Sequence, residues 1–433
     1  MNRNGRSARF AIPRWRWIIG LITRRIWFRA ALFSALSVAL ALIAAWLAPV
    51  IPLDLGTKLG AKAVDNILEI LASSMLAVTT FSLTAMVSAF AAATQTLTPR
   101  VTRLLIEDAT AQNALSTFLG TFLFAIVGII ALSTGFYGEK GRTVLYLGTI
   151  LVVAWIAVTL LRWIQHLSGF GRVEDGIRRV EQAATRAIKT LATRPGPGSG
   201  IPAGQCARGT AVAGQAIGHV THVDIAALEA IADDCERDIH LAALPGAFVH
   251  PERPLARVEG EVDETLAGRI IGTFTIDKSR DFPQDPRFGL VVLSEIASRA
   301  LSPAVNDPGT AIAVLDAGVR IFAAMADREG DEAPCEEEDR RRLHVPELVI
   351  EDMLEDLFRP VARDGAGMIE VALRIQHTLA ALAALMPQAR EPIAARARDA
   401  LDRALEALTS AADRADVARL HAQEFPGAVL NRS

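Results

Sequence analysis

The sequence predicts an α-helical integral membrane protein of about four transmembrane helices, followed by a mainly helical α+β cytoplasmic domain. Three observations predict it. Four stretches free of charged residues are each long enough to cross a hydrocarbon core of roughly 30 Å, which takes about 20 helical residues. The 6 tryptophans and 2 tyrosines of the chain all fall within its first 163 residues, as expected where aromatic side chains gather at membrane interfaces. Finally, 51% hydrophobic residues and a mean hydropathy of +0.30 over 433 residues lie above the usual soluble range, and the excess sits in the N-terminal third.

The chain opens with a basic stretch, residues 1–29, holding Arg3, Arg6, Arg9, Arg14, Arg16, Arg24, Arg25 and Arg29 and no acidic residue. Its Trp15 to Phe28 part mixes arginine with bulky apolar residues and suits a helix lying in the inner interface beside anionic lipid. No small-residue cleavage site follows a short apolar core, so the first apolar segment is expected to stay as an anchor. The expected spans are Ala30 to Leu53, Ile70 to Pro99, Asn113 to Gly138 and Thr143 to Leu161. Only Glu139, Lys140, Gly141 and Arg142 separate the last two, which predicts a tight antiparallel hairpin. Arg162, Arg172, Arg178, Arg179, Arg186, Lys189 and Arg194 follow the last span. Positive flanks stay in the cytoplasm, so both termini are placed there, in agreement with an even number of spans.

The second span carries ten hydroxyl side chains in thirty residues. Such hydroxyls either line a hydrated path, with Ser73, Thr80, Thr84 and Ser88 as candidate pore-lining residues, or bond their own helix backbone and neighbouring helices. No Asp, Glu, Lys, Arg or His lies within the spans, which argues against a proton relay or an ion-coupled transporter.

Val173, Ile177, Val180, Ala184 and Ile188 recur at helical spacing and predict a membrane-exit helix over 162–193, ended by the Gly/Pro linker 194–205. A small β-containing module is expected over 206–262, with strands near Gly218 to Val223, Glu236 to Ala242 and Leu255 to Val262 and a helix over Asp224 to Cys235. A helical cytoplasmic domain, 263–433, follows. It has helical spacing over Leu266 to Ile276, Phe288 to Ala300, Thr310 to Ala324, Pro346 to Phe358, Met368 to Leu385 and Ile393 to Ala411, and a charged solvated loop at 327–342.

Several function classes are excluded by pattern. A net charge of -3 argues against a nucleic-acid partner. Cys206, Cys235 and Cys335, odd in number and widely spaced, form neither a disulfide framework nor a zinc motif. His219 and His222 stand three apart on a strand and point to opposite faces, so they do not chelate one metal ion. No phosphate loop, dinucleotide fingerprint, nucleophile elbow or metalloprotease motif is present, so no enzyme and no cofactor is expected.

The run Arg280 to Ile312, RDFPQDPRFGLVVLSEIASRALSPAVNDPGTAI, is the most distinctive. Together with PGAFVHPERPL at 245–255 and the four N-terminal spans, it resembles the bacterial domain of unknown function 2254 family, predicted membrane proteins. The resemblance implies a membrane location and fold and carries no reaction with it. Read physically, Asp307 before Pro308 is a helix N-cap followed by proline at the first helical position, with Thr310 closing the turn and Arg299 ending the preceding helix. The alternative is a polar pocket for a small ligand or a partner protein, formed by Arg299, Asn306, Asp307 and Thr310 with Arg280, Gln284 and Asp285.

Two functions lead from the sequence, ahead of an enzyme acting at the membrane surface. One is an oligomeric channel or transport-like protein of the bacterial inner membrane, a homo-oligomer in contact with membrane lipid, whose cytoplasmic domain gates or assembles it. The other is a membrane-anchored sensor or scaffold whose cytoplasmic domain binds a ligand or protein partner.

Overall fold

The computed structural model describes residues 26–47, 61–134, 139–192, 209–329, 342–346 and 348–426. The basic segment before Ile26, the linker 194–205 and most of the charged loop 327–342 lie outside these residues. The chain divides into two compact units, one built from residues 17–95 and 102–175, the other from 96–101 and 176 onward.

Among the described residues, the first unit is a bundle of four long helices: α1 (Ile26–Leu47), α2 (Ala61–Thr96), α4 (Ala109–Ser133) and α5 (Glu139–Gly169), with the short α3 (Pro99–Ile106) between α2 and α4. Helices α2, α4 and α5 are long and apolar enough to cross a membrane, and α1 is a continuous apolar helix through the described part of the first expected span. The bundle packs through small residues. A side chain at Gly120 of α4 would lie 2.9 Å from Ser37 Oγ and 3.2 Å from the Phe33 carbonyl oxygen of α1, so glycine lets these two helices approach. Between α2 and α5 the buried Trp163 indole N–H donates to Ser82 Oγ at 2.9 Å. Residues Glu139 to Arg142, expected as the turn of a hairpin, already form the first turn of α5. A charged first turn can remain helical where it projects beyond the apolar span.

The second unit opens on the elbow between α2 and α4. α2 stops at Thr96, because proline at 99 disfavours helical backbone at the residue before it, and α3 restarts with Pro99. The expected membrane-exit helix is likewise two pieces: α5 runs on to Gly169, and α6 (Val173–Ala192) begins afresh after a break at Phe170, Gly171 and Arg172. Leu97 and Val101 are fully buried. A side chain at Gly176 of α6 would strike Leu97 Cδ1 at 2.4 Å, and the Arg100 guanidinium pairs with Glu295 Oε1 at 2.6 Å.

The β-containing module has two small sheets. One, in the order β1-β5-β3-β7, is formed by β1 (Thr210–Val212), β3 (Ile239–Leu241), β5 (Ala256–Val258) and β7 (Leu343–His344). The other, in the order β4-β2-β6, is formed by β2 (Gly218–Val223), β4 (Phe248–Val249) and β6 (Phe274–Asp277). All pairings are antiparallel except β3 with β7. Helices α7 (Ile225–Cys235) and α8 (Glu264–Ile271) cover a core of Val220, Val223, Leu228, Ile239, Val258, Ile270, Phe274 and Leu343.

A helical layer follows: α9 (Pro286–Ala300), α10 (Pro308–Glu329), α11 (Ile350–Asp364), α12 (Ile369–Leu385), α13 (Arg390–Ala407) and α14 (Ala411–Glu424). Over Pro308–Ala326, α10 is also long and apolar enough to cross a membrane. Its Ala311, Val314, Leu315, Ala317, Ile321 and Phe322 are nevertheless fully buried within its own unit. Its polar face pairs Arg320 with Glu181 at 2.8 Å and Asp316 with Arg374 at 3.5 Å. With its apolar surface satisfied by protein, α10 behaves as a core helix.

Candidate functional site

The segment Arg280 to Thr310 separates into two clusters at opposite ends of α9. Fifteen residues at 1.5 Å each set them about 22 Å apart. The seven candidate pocket residues therefore do not converge on one site.

At the N-terminal end, Asp285 caps α9 and Pro286 takes the first helical position. Asp285 Oδ1 accepts from the Phe288 backbone N–H at 3.0 Å. Arg280 grips the same carboxylate with both arms, Nε to Oδ2 at 2.7 Å and Nη2 to Oδ1 at 2.9 Å. Its guanidinium carbon also lies 5.1 Å from the Phe288 ring centroid, a cation–π contact. Asp285 is 2% exposed and Arg280 22%. Burial pushes the Asp285 carboxyl above its ordinary range, against the pull of Arg280 and the Phe288 N–H. The buried Gln284 turns the other way, its Oε1 accepting from the Val223 backbone N–H at 3.0 Å, so it ties the helix entrance to the end of β2. The turn residue Gly246, at φ +95, presses on the carboxylate from behind: a side chain there would lie 2.3 Å from Asp285 Oδ2. Two residues after Asp285, Arg287 reaches α11, pairing with Asp356 at 2.6 Å and with Asp352.

Each of these polar groups meets an internal partner. The crevice beside Gln284, lined also by Val223, Leu244 and Pro245, encloses about 10 Å³, the space of a single water. The cluster ties α9, β2, the Gly246 turn and α11 together rather than opening onto a ligand.

At the other end, Asn306 adopts the left-handed conformation at φ 53 and turns the chain into α10. Asp307 Oδ1 accepts from the Thr310 N–H at 3.1 Å, and Oδ2 accepts from the Thr310 hydroxyl at 2.6 Å. These bonds hold the Asp307 carboxyl below its ordinary value. Arg299 makes no ion pair with Asp307; its carbonyl accepts from Ser302. The geometry is that of a capped helix start, with Asn306 and Asp307 exposed.

Ser73, Thr80, Thr84 and Ser88 are all exposed on α2. Steps of seven, four and four place them on one stripe, continued by Ala77 and Ala91 and directly opposite the buried Leu68, Met75, Ser82 and Met86. The stripe faces away from the chain's own bundle. Three of these hydroxyls bond back to their own helix, Ser73 to Glu69 O, Thr80 to Leu76 O and Thr84 to Thr80 O, each at 3.0 Å.

Sequence reasoning held Gly246 only as part of the turn-bearing run 245–255, and did not anticipate Arg287 or the pair of His166 Nε2 with Asp108 Oδ1 at 3.0 Å, where Asp108 caps α4. The one local signal was Asp108 standing before an apolar run, an N-cap pattern. Among the described residues no group of three His, Cys, Asp or Glu side chains is placed to hold a metal ion.

A helical bundle in which α2, α4 and α5 are apolar and long enough to span a lipid bilayer, joined to an α+β unit, fits the architecture of a membrane-associated protein. The chain belongs to the domain of unknown function 2254 family, described as predicted membrane proteins, whose model matches residues 23–381. No curated protein and no solved structure matches it.

Proposed function

We propose that the protein is a non-enzymatic, homo-oligomeric inner-membrane protein of bacteria in which copies of α2 line a path for solute. Helices α1, α2, α4 and α5 are its four spans, and both termini lie in the cytoplasm. The elbow at residues 96–101 and the chain from 176 onward share one compact unit, which supports α2 and α5 ending on the same side of the membrane. The observation that carries the path is the outward stripe of Ser73, Thr80, Thr84 and Ser88. A hydroxyl face turned from its own bundle is of use in lining a path only where further copies enclose it.

The test is oligomeric state in mild detergent, by native mass spectrometry, together with solute flux in liposomes. A ring of subunits is expected, and Thr80→Val with Thr84→Val should change flux at unchanged folded yield. A monomer that passes no ion or solute would remove the reading. The second reading, a membrane-anchored sensor or scaffold, is favoured by the back-bonding of the same hydroxyls, which satisfies them in lipid without any path.

A further inference from the structure

We propose that α5 carries a binding site for an anionic phospholipid, its phosphodiester held by Arg162 and Gln165 and its acyl chain laid along Leu151, Trp155 and Val158. The inference rests on α5 spanning the membrane. Leu151, Trp155, Val158, Arg162 and Gln165 follow one another at steps of four, three, four and three, so they form a single continuous stripe on the helix. All five are exposed, Leu151 at 72% and Trp155 at 62%.

The stripe changes character at one point. The charge-free run Thr143 to Leu161 spans about 28 Å at 1.5 Å per residue, so Arg162 falls at the edge of a hydrocarbon core roughly 30 Å thick. From Leu151 to Arg162 the helix rises about 16 Å, the depth of one leaflet. One lipid molecule matches that length, with tails beside the apolar positions and phosphate at the guanidinium.

The polar end is free to receive it. Among the described residues, neither the Arg162 guanidinium nor the Gln165 amide has a protein partner. This sets Arg162 apart from Arg280, Arg287 and Arg320, each fixed on a carboxylate. The arginine fork matches two phosphate oxygens, and an amide N–H one turn away adds a third donor. The occupant is therefore a lipid with net negative charge, since the five residues of the stripe offer a cation and no carboxylate to hold a choline or ethanolamine head.

The test uses the full-length protein, delipidated in detergent and titrated with phosphatidylglycerol or phosphatidylcholine while bound lipid is counted by native mass spectrometry. Arg162→Gln should weaken phosphatidylglycerol binding about fivefold, the effect of one cation at an anionic surface, with little change for phosphatidylcholine. Arg162→Lys should fall between, keeping charge but not the fork. Because the side chain is exposed, melting temperature should not move. Equal phosphatidylglycerol binding by wild type and Arg162→Gln, with the protein resisting alkaline carbonate extraction from membranes, would overturn the site and leave the spans standing. Release by carbonate would overturn both.

Discussion

Replacing Gly246 with alanine tests whether the cluster at the start of α9 is as tight as it looks. Two costs add. A side chain at φ +95 sits in a conformation that disfavours any Cβ, worth about 1–2 kcal/mol. The new methyl would also lie 2.3 Å from Asp285 Oδ2 and 2.6 Å from its Cγ, so the carboxylate has to move. Displacing it removes the cap on Phe288 N–H, about 0.5–2 kcal/mol. It also loosens the Arg280 pair, about 1 kcal/mol here because Arg280 is 22% exposed and stays partly hydrated. The total is about 3–5 kcal/mol. Gly260 is the control: its φ is +97, but the nearest atom to an added side chain, on Arg237, is 3.8 Å away. Gly260→Ala should cost only the conformational part. Thermal unfolding followed by circular dichroism should separate the two variants by about 3–12 °C, the roughly 1.5–3 kcal/mol that Gly246→Ala alone incurs taken at 2–4 °C per kcal/mol for a unit of this size. In a double-mutant cycle with Arg280→Ala, the two losses should be less than additive. Equal Tm losses for the two alanine variants would refute the reasoning, because Asp285 would then have room to yield.

Two further outcomes follow from the same geometry. Asp307→Asn keeps a cap acceptor for Thr310 and should cost less than about 1 kcal/mol, whereas Asp307→Ala should cost roughly 0.5–2 kcal/mol in chemical denaturation; a large loss for the asparagine variant would mean that the charge itself has a partner. His421 of α14 is buried with its Nδ1 2.9 Å from Gln376 Oε1, and burial, then Arg398, push its imidazole below the ordinary histidine value against the pull of Asp402. The folded state then binds this proton less readily than the unfolded chain, so its stability is present above about pH 6.5 and lost as pH falls below it. Protection factors across residues 411–424, corrected for the intrinsic pH dependence of amide exchange, should fall at pH 5.5 relative to 7.5, and unchanged protection would remove His421 as the cause.

The long apolar helices were legible because a charge-free run is a signal carried by every residue in it. Strand β2 was legible too: GHVTHV alternates, and the structure places β2 at Gly218–Val223. The two-residue strands β4 and β7 carry no period of their own and exist only through their partners, β7 crossing from beyond residue 342 to pair with β3. Leu266, Ile270 and Phe274 fit a helical spacing, and Leu266 to Ile276 was expected as one helix, but Gly272 closes α8 and the rest forms β6 against β2. At the site, Asp307 before Pro308 announced its cap, whereas Asp285 before Pro286 carries the same pattern and enters the sequence reading only as a pocket candidate. The grip of Arg280 on Asp285 was not visible, since it depends on a loop of four residues folding back. The pressure of Gly246 depends on a turn 39 positions away in sequence. The separation of the clusters is a property of a rigid helix between them, which residue types alone do not measure.

The elbow at Leu97 to Arg100 makes one unit of the molecule discontinuous in sequence. Residues 96–101 belong with the chain from 176 onward, although more than seventy residues of another unit lie between them. Leu97 and Val101 are fully buried there, and a side chain at Gly176 would strike Leu97 Cδ1 at 2.4 Å. This part of the core is therefore closed only once both stretches of chain have been made, which ties its folding order to synthesis of the long helices in between.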